Sequence, residues 1–135
     1  MAAKILIVDD DLDTLNLIEL ILKIAGYTVV KANSGEECLR LAREQRPNLI
    51  ILDIMMPSLS GLDVLKQLSK KYGRPPVILF SAKNQITDVV EGMEAGAYKY
   101  LVKPASRDQL LKTVKAALEE AADRQTNQDD WGENW

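Results

Sequence analysis

Short apolar runs alternate five times with longer stretches of helical periodicity, and this alternation constrains the chain more than any other feature. Ile5-Leu6-Ile7-Val8 reads as a strand buried on both faces. Leu15, Ile18, Leu22 and Ala25 then recur at helical spacing until Gly26 stops the helix. Tyr27 to Lys31 is a β-branched second strand, and Ser34 to Glu37 has the Ser-x-x-Glu form of a capping box before a helix whose inner face carries Cys38, Leu41 and Ala42. Asn48 to Leu52 is the third strand, set off by Pro47. A loop with Pro57 precedes a helix with Leu62, Leu65 and Leu68 inward and Gly73 beyond its end. Pro76 to Phe80 is the fourth strand, and Ile86, Val89, Val90, Met93 and Ala97 form a helical stripe. Tyr98 to Val102 is the fifth strand, and a second capping box, Ser106 to Gln109, opens a helix lined by Leu110, Val114, Ala117 and Ala121.

Parallel strands need crossovers, and helical crossovers cover both faces of the sheet, so strict β-α alternation predicts an α/β protein with a buried parallel sheet. Five units fit the flavodoxin-like (βα)5 doubly wound architecture with strand order 2-1-3-4-5. At 135 residues and 47% hydrophobic content the chain supplies one core.

Composition then removes whole classes of chemistry. There is no His, so His bases, His metal ligands, Ser-His-Asp triads and a phospho-histidine on this chain are excluded. The single Cys, Cys38, rules out an intrachain disulfide and a Cys-based metal cluster. A net charge of −3 gives no basic surface for nucleic acid or anionic lipid. No apolar run approaches the ~20 residues that cross a bilayer, and Met1 leads straight into a strand pattern without a signal-peptide core, so a cytoplasmic protein is expected. The character changes after Glu120, which predicts a domain over residues 1–122 and an acidic tail over 123–135. The tail carries Trp131 and Trp135, which suit either a short docking peptide or a solvated end.

Ligands of open α/β sheets bind beyond the carboxyl ends of the strands, near the switch in strand order. Strand one ends in Asp9-Asp10-Asp11, strand three in Asp53, strand four in Ser81 and strand five in Lys103-Pro104. Each piece is ordinary alone: an acidic run after a strand commonly starts a helix, as Asp11 or Asp13 is expected to do, and Lys-Pro is a turn signal. Their joint placement on one sheet edge is not ordinary. In the order 2-1-3-4-5, strands one and three are neighbours, so Asp9, Asp10 and Asp53 converge. Carboxylates so gathered repel unless a cation sits among them, and hard oxygen ligands with open positions suit Mg²⁺.

In this order and at these spacings, the motifs Ile5-Leu6-Ile7-Val8-Asp9-Asp10-Asp11, Leu52-Asp53-Ile54-Met55-Met56-Pro57 with Gly61, Ile78-Leu79-Phe80-Ser81-Ala82, Gly96-Ala97 and Tyr100-Leu101-Val102-Lys103-Pro104 are highly specific. Over roughly residues 3–122 the chain resembles a response-regulator receiver domain of the CheY-like superfamily. That resemblance implies that Asp53 accepts a phosphoryl group and that Mg²⁺ is held by Asp10 directly, by Asp9 mainly through water, by Asp53 and by the backbone carbonyl of Met55. It further implies that Lys103 contacts the Asp53 carboxylate and then the phosphoryl oxygens, and that Ser81 donates to a phosphoryl oxygen. Lys103-Pro104 would be a cis peptide. On phosphorylation Ser81 would move and Tyr100 rotate into the space it leaves, rearranging the face of the fourth helix, fifth strand and fifth helix. The implied partners are a histidine kinase or histidine phosphotransfer protein and an output protein of unknown identity, with no direct nucleic-acid or membrane binding, the chain acting as a monomer or a phosphorylation-dependent dimer. It would assist its own phosphorylation and dephosphorylation without turning over a metabolite, so it is expected to be a signalling protein rather than an enzyme.

Ala105 departs from the family's frequent Phe after Lys103-Pro104, and Met55 and Lys83 occupy positions where the family tunes phosphoryl lifetime. The rival enzyme class is a haloacid-dehalogenase-like phosphatase with Asp9 as nucleophile. Against it, Asp13 stands where that family wants Thr or Val, no acidic metal pair follows a strand beyond Lys103, and Asp53 is left without a role. With no helix-turn-helix after the fifth helix, a stand-alone regulator is expected, the alternative being a receiver cut from a longer transcriptional regulator or hybrid kinase.

Overall fold

The computed structural model describes residues 2–71 and 73–125. Ten elements alternate along the chain: β1 (Lys4–Val8), α1 (Leu12–Ile24), β2 (Thr28–Ala32), α2 (Gly35–Gln45), β3 (Leu49–Leu52), α3 (Gly61–Leu68), β4 (Val77–Ser81), α4 (Ile86–Glu94), β5 (Lys99–Val102) and α5 (Arg107–Gln125). The strands form one parallel sheet in the order β2-β1-β3-β4-β5, the flavodoxin-like arrangement expected from the alternation.

Side chains of a strand point alternately to the two faces, and here both faces are covered. Leu6, Val8, Ile50, Leu52, Leu79 and Tyr100 pack under α2 and α3 with Cys38, Ala42, Val64, Leu65 and Leu68. Ile5, Ile7, Leu49, Ile51, Ile78, Phe80 and Leu101 pack under α1 and α5 with Leu15, Ile18, Leu22, Leu110, Val114 and Ala117. Doubly covered strands explain why β3 reads as an unbroken apolar run and is buried at every position.

The helix starts follow the capping signals. Ser34 Oγ accepts the Glu37 amide at 3.1 Å, Ser106 Oγ accepts the Gln109 amide at 3.0 Å, and Ser60 Oγ accepts the Asp63 amide at 3.2 Å. Ala105 is half-buried against the α1–α5 side of the core, where it occupies the position of the family's frequent Phe.

Several expectations need correction. The α4 stripe is only partly covered: Val89 and Ala97 pack in the core, while Ile86, Val90 and Met93 are 81, 47 and 41% exposed, and the buried residue of the helix is Gly92. Periodicity identifies an apolar face but not what covers it. Ala25 caps α1 and is exposed, and Leu62 is half-buried while Val64 joins Leu65 and Leu68 inside. Helix α5 runs to Gln125, because Ala121 and Ala122 propagate a helix well. The expectations for the tail with Trp131 and Trp135 lie outside the described residues.

Candidate functional site

Because the sheet is parallel, all its carboxyl ends lie on one edge. Val8 pairs with Leu52, so the residues that follow them, Asp9 and Asp53, emerge side by side. Backbone bonds extend the ladder by one step and fix both: the Asp53 amide donates to the Val8 carbonyl at 3.0 Å, and the Asp9 amide to the Ala32 carbonyl at 3.2 Å. Both carboxylates are buried, at 3% exposure for Asp9 and 6% for Asp53, whereas Asp10 is exposed. Asp11 is the N-cap of α1 and accepts the Thr14 hydroxyl at 2.5 Å, the contact that chiefly holds its carboxyl below the usual range. Asp13 lies in the first helical turn. The acidic run thus divides as its pattern suggested, into two site carboxylates and two helix-start residues.

The loop from Asp53 to α3 folds back over its own beginning. Met55 donates its amide to Asp53 Oδ1 at 3.1 Å, and the Met56 and Gly61 amides both reach the Ile54 carbonyl at 3.0 Å. A Cβ on Gly61 would lie 2.0 Å from the Asp53 carbonyl oxygen, so only glycine closes this loop. Farther out, the Ser58 hydroxyl ties the loop to Glu36 at 3.1 Å.

The other side of the site comes from the next two strands. Ser81 pairs with Val102, and the Lys103 amide donates to the Ser81 carbonyl at 2.8 Å, which sets Lys103 at the same edge. The Lys103-Pro104 bond is cis. Lys103 Nζ donates to Asp9 Oδ2 at 2.5 Å and to Asp53 Oδ2 at 3.2 Å, and lies 5.4 Å from the centre of the Phe80 ring. Ser81 is wholly buried, and its Oγ accepts the Lys83 amide at 3.3 Å. Tyr100 lies inward, 8% exposed, with its hydroxyl donating to the Lys83 carbonyl at 2.7 Å.

Burial raises the Asp53 pKa, the negative charge of Asp9 adds to that, and the Met55 amide and Lys103 work against it. Burial also opposes the charge on Lys103, but the hydrogen bond to Asp9 and the charge of Asp53 outweigh it and raise its pKa. Lys103 is therefore a permanent cation between two carboxylates at physiological pH. Burial lifts the Tyr100 phenol as well, so its hydroxyl stays a donor.

Asp9, Asp10 and Asp53 each offer a carboxylate oxygen within 4.8 Å of the others. Beside them opens a cleft of about 500 Å³ whose lining includes Asp10, Met55, Met56, Lys83, Asp88 and Glu91. Hard oxygen donors on one side and solvent on the other fit Mg²⁺, which keeps several of its waters and takes few protein ligands.

The expected residues Asp9, Asp10, Asp53, Met55, Ser81 and Lys103 therefore share one sheet edge. Two features were not anticipated. Lys103 is nearer to Asp9 than to Asp53, and Phe80 supports it; a residue that faces the core in a strand pattern gives no sequence signal for such a contact.

Fold and site together define a signalling domain built around an acidic pocket that fits a phospho-aspartate and Mg²⁺. The family described as the response regulator receiver domain matches residues 5–115, and the chain belongs to that family of two-component signalling proteins. Among curated relatives it is 41% identical over 118 residues to the alkaline phosphatase synthesis transcriptional regulatory protein PhoP of Bacillus subtilis, covering 87% of this chain and 49% of that one. It is 44% identical over 115 residues to the transcriptional regulatory protein PrrA of Mycobacterium tuberculosis, covering 85% and 49%. The chain thus spans about half the length of these relatives. Among solved structures, a CheY-like response regulator receiver domain protein from Methanospirillum hungatei superposes with a TM-score of 0.87 at 30% identity, covering 92% of this chain and 99% of that one.

Proposed function

We propose that Asp53 accepts a phosphoryl group from a phospho-histidine of a sensor kinase or histidine phosphotransfer protein, and that the phosphorylated form presents a changed surface to an output protein. The observation that carries this reading is the convergence of Asp9, Asp10 and Asp53 within 4.8 Å, with Lys103 reaching across two of them. The N–P bond of the donor, whose ring is protonated on the other nitrogen, breaks as an Asp53 Oδ–P bond forms, and the imidazole leaves neutral with the N–P electron pair. Hydrolysis of the acyl phosphate returns Asp53 to the free carboxylate.

A carboxylate is a weak nucleophile, so alignment and charge neutralisation supply the catalysis. The Met55 amide fixes one oxygen of Asp53. Lys103 keeps its proton and shifts toward the phosphoryl oxygens, while Asp9 restrains it. The Ser81 hydroxyl, freed from the Lys83 amide, donates to a third oxygen, and Tyr100 registers that movement through its bond to the Lys83 carbonyl. Asp10, Asp53 and the Met55 carbonyl would hold Mg²⁺ directly and Asp9 through water, and the bound ion would offset negative charge on the transferring group. Asp9 suits an outer position, because one of its oxygens accepts the Asp11 amide at 2.9 Å and the other accepts Lys103.

A second reading concerns the whole protein rather than the site. The relatives PhoP and PrrA are transcriptional regulators that this chain matches over 49% of their length, which supports a role as the receiver part of such a regulator. Among the described residues no helix is long and apolar enough to cross a membrane.

The test is to incubate the protein with Mg²⁺ and either acetyl phosphate or a phosphorylated histidine kinase, and to map the acyl phosphate by mass spectrometry. Label on Asp53, absent from Asp53→Asn, is expected. Label on Asp9, or no label, overturns the assignment.

A further inference from the structure

Helix α4 meets the core through Val89 and through a residue with no side chain. Gly92 is its buried position, and a Cβ built there would lie 2.6 Å from Leu79 Cδ1, 3.0 Å from Tyr100 Cδ2 and 3.3 Å from Tyr100 Cε2. Leu79 and Tyr100 are cross-strand partners on β4 and β5, so the two side chains stand together beneath the helix. The larger apolar residues of α4, Ile86, Val90 and Met93, point away from them into solvent. A glycine within a helix lowers its intrinsic stability, so its use here calls for a packing reason. Leu79 Cδ1 and, slightly farther off, the Tyr100 ring fill the space where a side chain at 92 would go.

The two ends of α4 are held differently. At its C-terminal end the Ser69 hydroxyl donates to the Ala95 carbonyl at 2.8 Å, and Arg74 Nη2 donates to the Gly96 carbonyl at 2.8 Å. Before its N-terminal end, the Lys83 amide reaches Ser81 Oγ and the Lys83 carbonyl accepts the Tyr100 hydroxyl. One end is therefore clamped to the α3–β4 connection, while the other answers to the residues of the acid site.

We infer that Gly92 is the positioning residue of the Tyr100 switch: its missing side chain makes the seat that lets the ring lie inward, and the helix rests on that ring. The inference rests on the phosphoacceptor reading for its meaning, and on the packing alone for its geometry. A methyl group at 92 must displace something. Leu79 has no exposed surface and core atoms around it, and the C-terminal clamp prevents α4 from sliding as a whole. Tyr100, by contrast, stands on the edge strand β5 and keeps some exposed surface. Gly92→Ala therefore presses the ring outward and loosens the link between Tyr100 and the Lys83 loop. Leu79→Val removes the Cδ1 atom nearest the new methyl group and makes room again.

The experiment labels the full chain with 3-fluorotyrosine and follows the Tyr100 ¹⁹F signal, assigned by its loss in Tyr100→Phe, with a soluble gadolinium chelate reporting exposure. The signal should be weakly broadened in the unsubstituted protein. It should shift and broaden several-fold more in Gly92→Ala, and return toward its original position in Gly92→Ala with Leu79→Val. A folded Gly92→Ala protein whose Tyr100 signal is unchanged overturns the inference. Should Gly92→Ala alone fail to fold by circular dichroism, recovery of the fold in the double variant supports the inference, and continued unfolding overturns it. Asp53 labelling is followed in the same unsubstituted sample; its failure would count against the phosphoacceptor reading and leave the Tyr100 result standing.

Discussion

Lys103 is bonded more closely to Asp9, at 2.5 Å, than to Asp53, at 3.2 Å. One cation thus serves two buried carboxylates, and Asp53 receives the looser share.

Removing that cation tests its role. In Lys103→Met the Asp9 and Asp53 carboxylates remain buried together without a counter-charge, and breaking a buried pair from one side costs about 3–5 kcal/mol. A loss on the order of 3 kcal/mol is expected in urea unfolding at pH 7 without divalent metal, and added Mg²⁺ should recover part of it. A change under about 1 kcal/mol, within the usual range for surface substitutions, would show that the lysine is not the counter-ion.

The raised pKa of Asp53 gives a pH dependence of definite sign. Burial, reinforced by Asp9, makes the folded state hold the Asp53 proton more tightly than the unfolded chain, whose ordinary value is 3.8. The contribution of this group to stability is thus fully present below pH 3.8 and is lost as pH rises through the higher folded value. At neutral pH the ionised side chain therefore destabilises the fold. Asp53→Asn is expected to raise the unfolding midpoint at pH 7 in EDTA, and its gain over the unsubstituted protein should shrink as pH falls toward 3.8. Equal stability of the two proteins across that range, or a less stable variant at pH 7, would refute the burial argument.

Much of this was legible in the chain before any coordinates. The five apolar runs, the glycine stops and the serine caps mark local physics, and they located every element to within a few residues. Asp9, Asp53, Ser81 and Lys103 were placed together because each directly follows or ends a parallel strand, and parallel strands share an edge. What local pattern does not carry is the division of partners. Nothing in Val102-Lys103-Pro104 says that the amine prefers Asp9, and nothing in Ile86-Thr87-Asp88-Val89-Val90 says that Ile86 and Val90 lie in solvent while Val89 and Gly92 meet the core. Those are consequences of how helices settle on a twisted sheet, which is set by the whole core.

The third carboxylate supplies the sharpest test of the metal seat. Asp10 is exposed, unlike Asp9 and Asp53, so it contributes little to packing, and Asp10→Asn should change metal-free stability by no more than about 0.5 kcal/mol. Its oxygen nevertheless belongs to the cluster of three within 4.8 Å. An ion that binds the folded chain and not the unfolded one stabilises it by RT ln(1 + [L]/Kd), about 2.7 kcal/mol at a hundredfold excess over Kd. For a domain of this size that corresponds to a rise in Tm on the order of 10 °C. Thermal melts in EDTA and in increasing Mg²⁺ should show this rise for the unsubstituted protein and less than half of it for Asp10→Asn at the same concentration. Identical Mg²⁺ shifts in the two proteins would place the ion elsewhere, because a seat that includes Asp10 loses one of its three carboxylates in the variant and with it much of the attraction for a divalent cation.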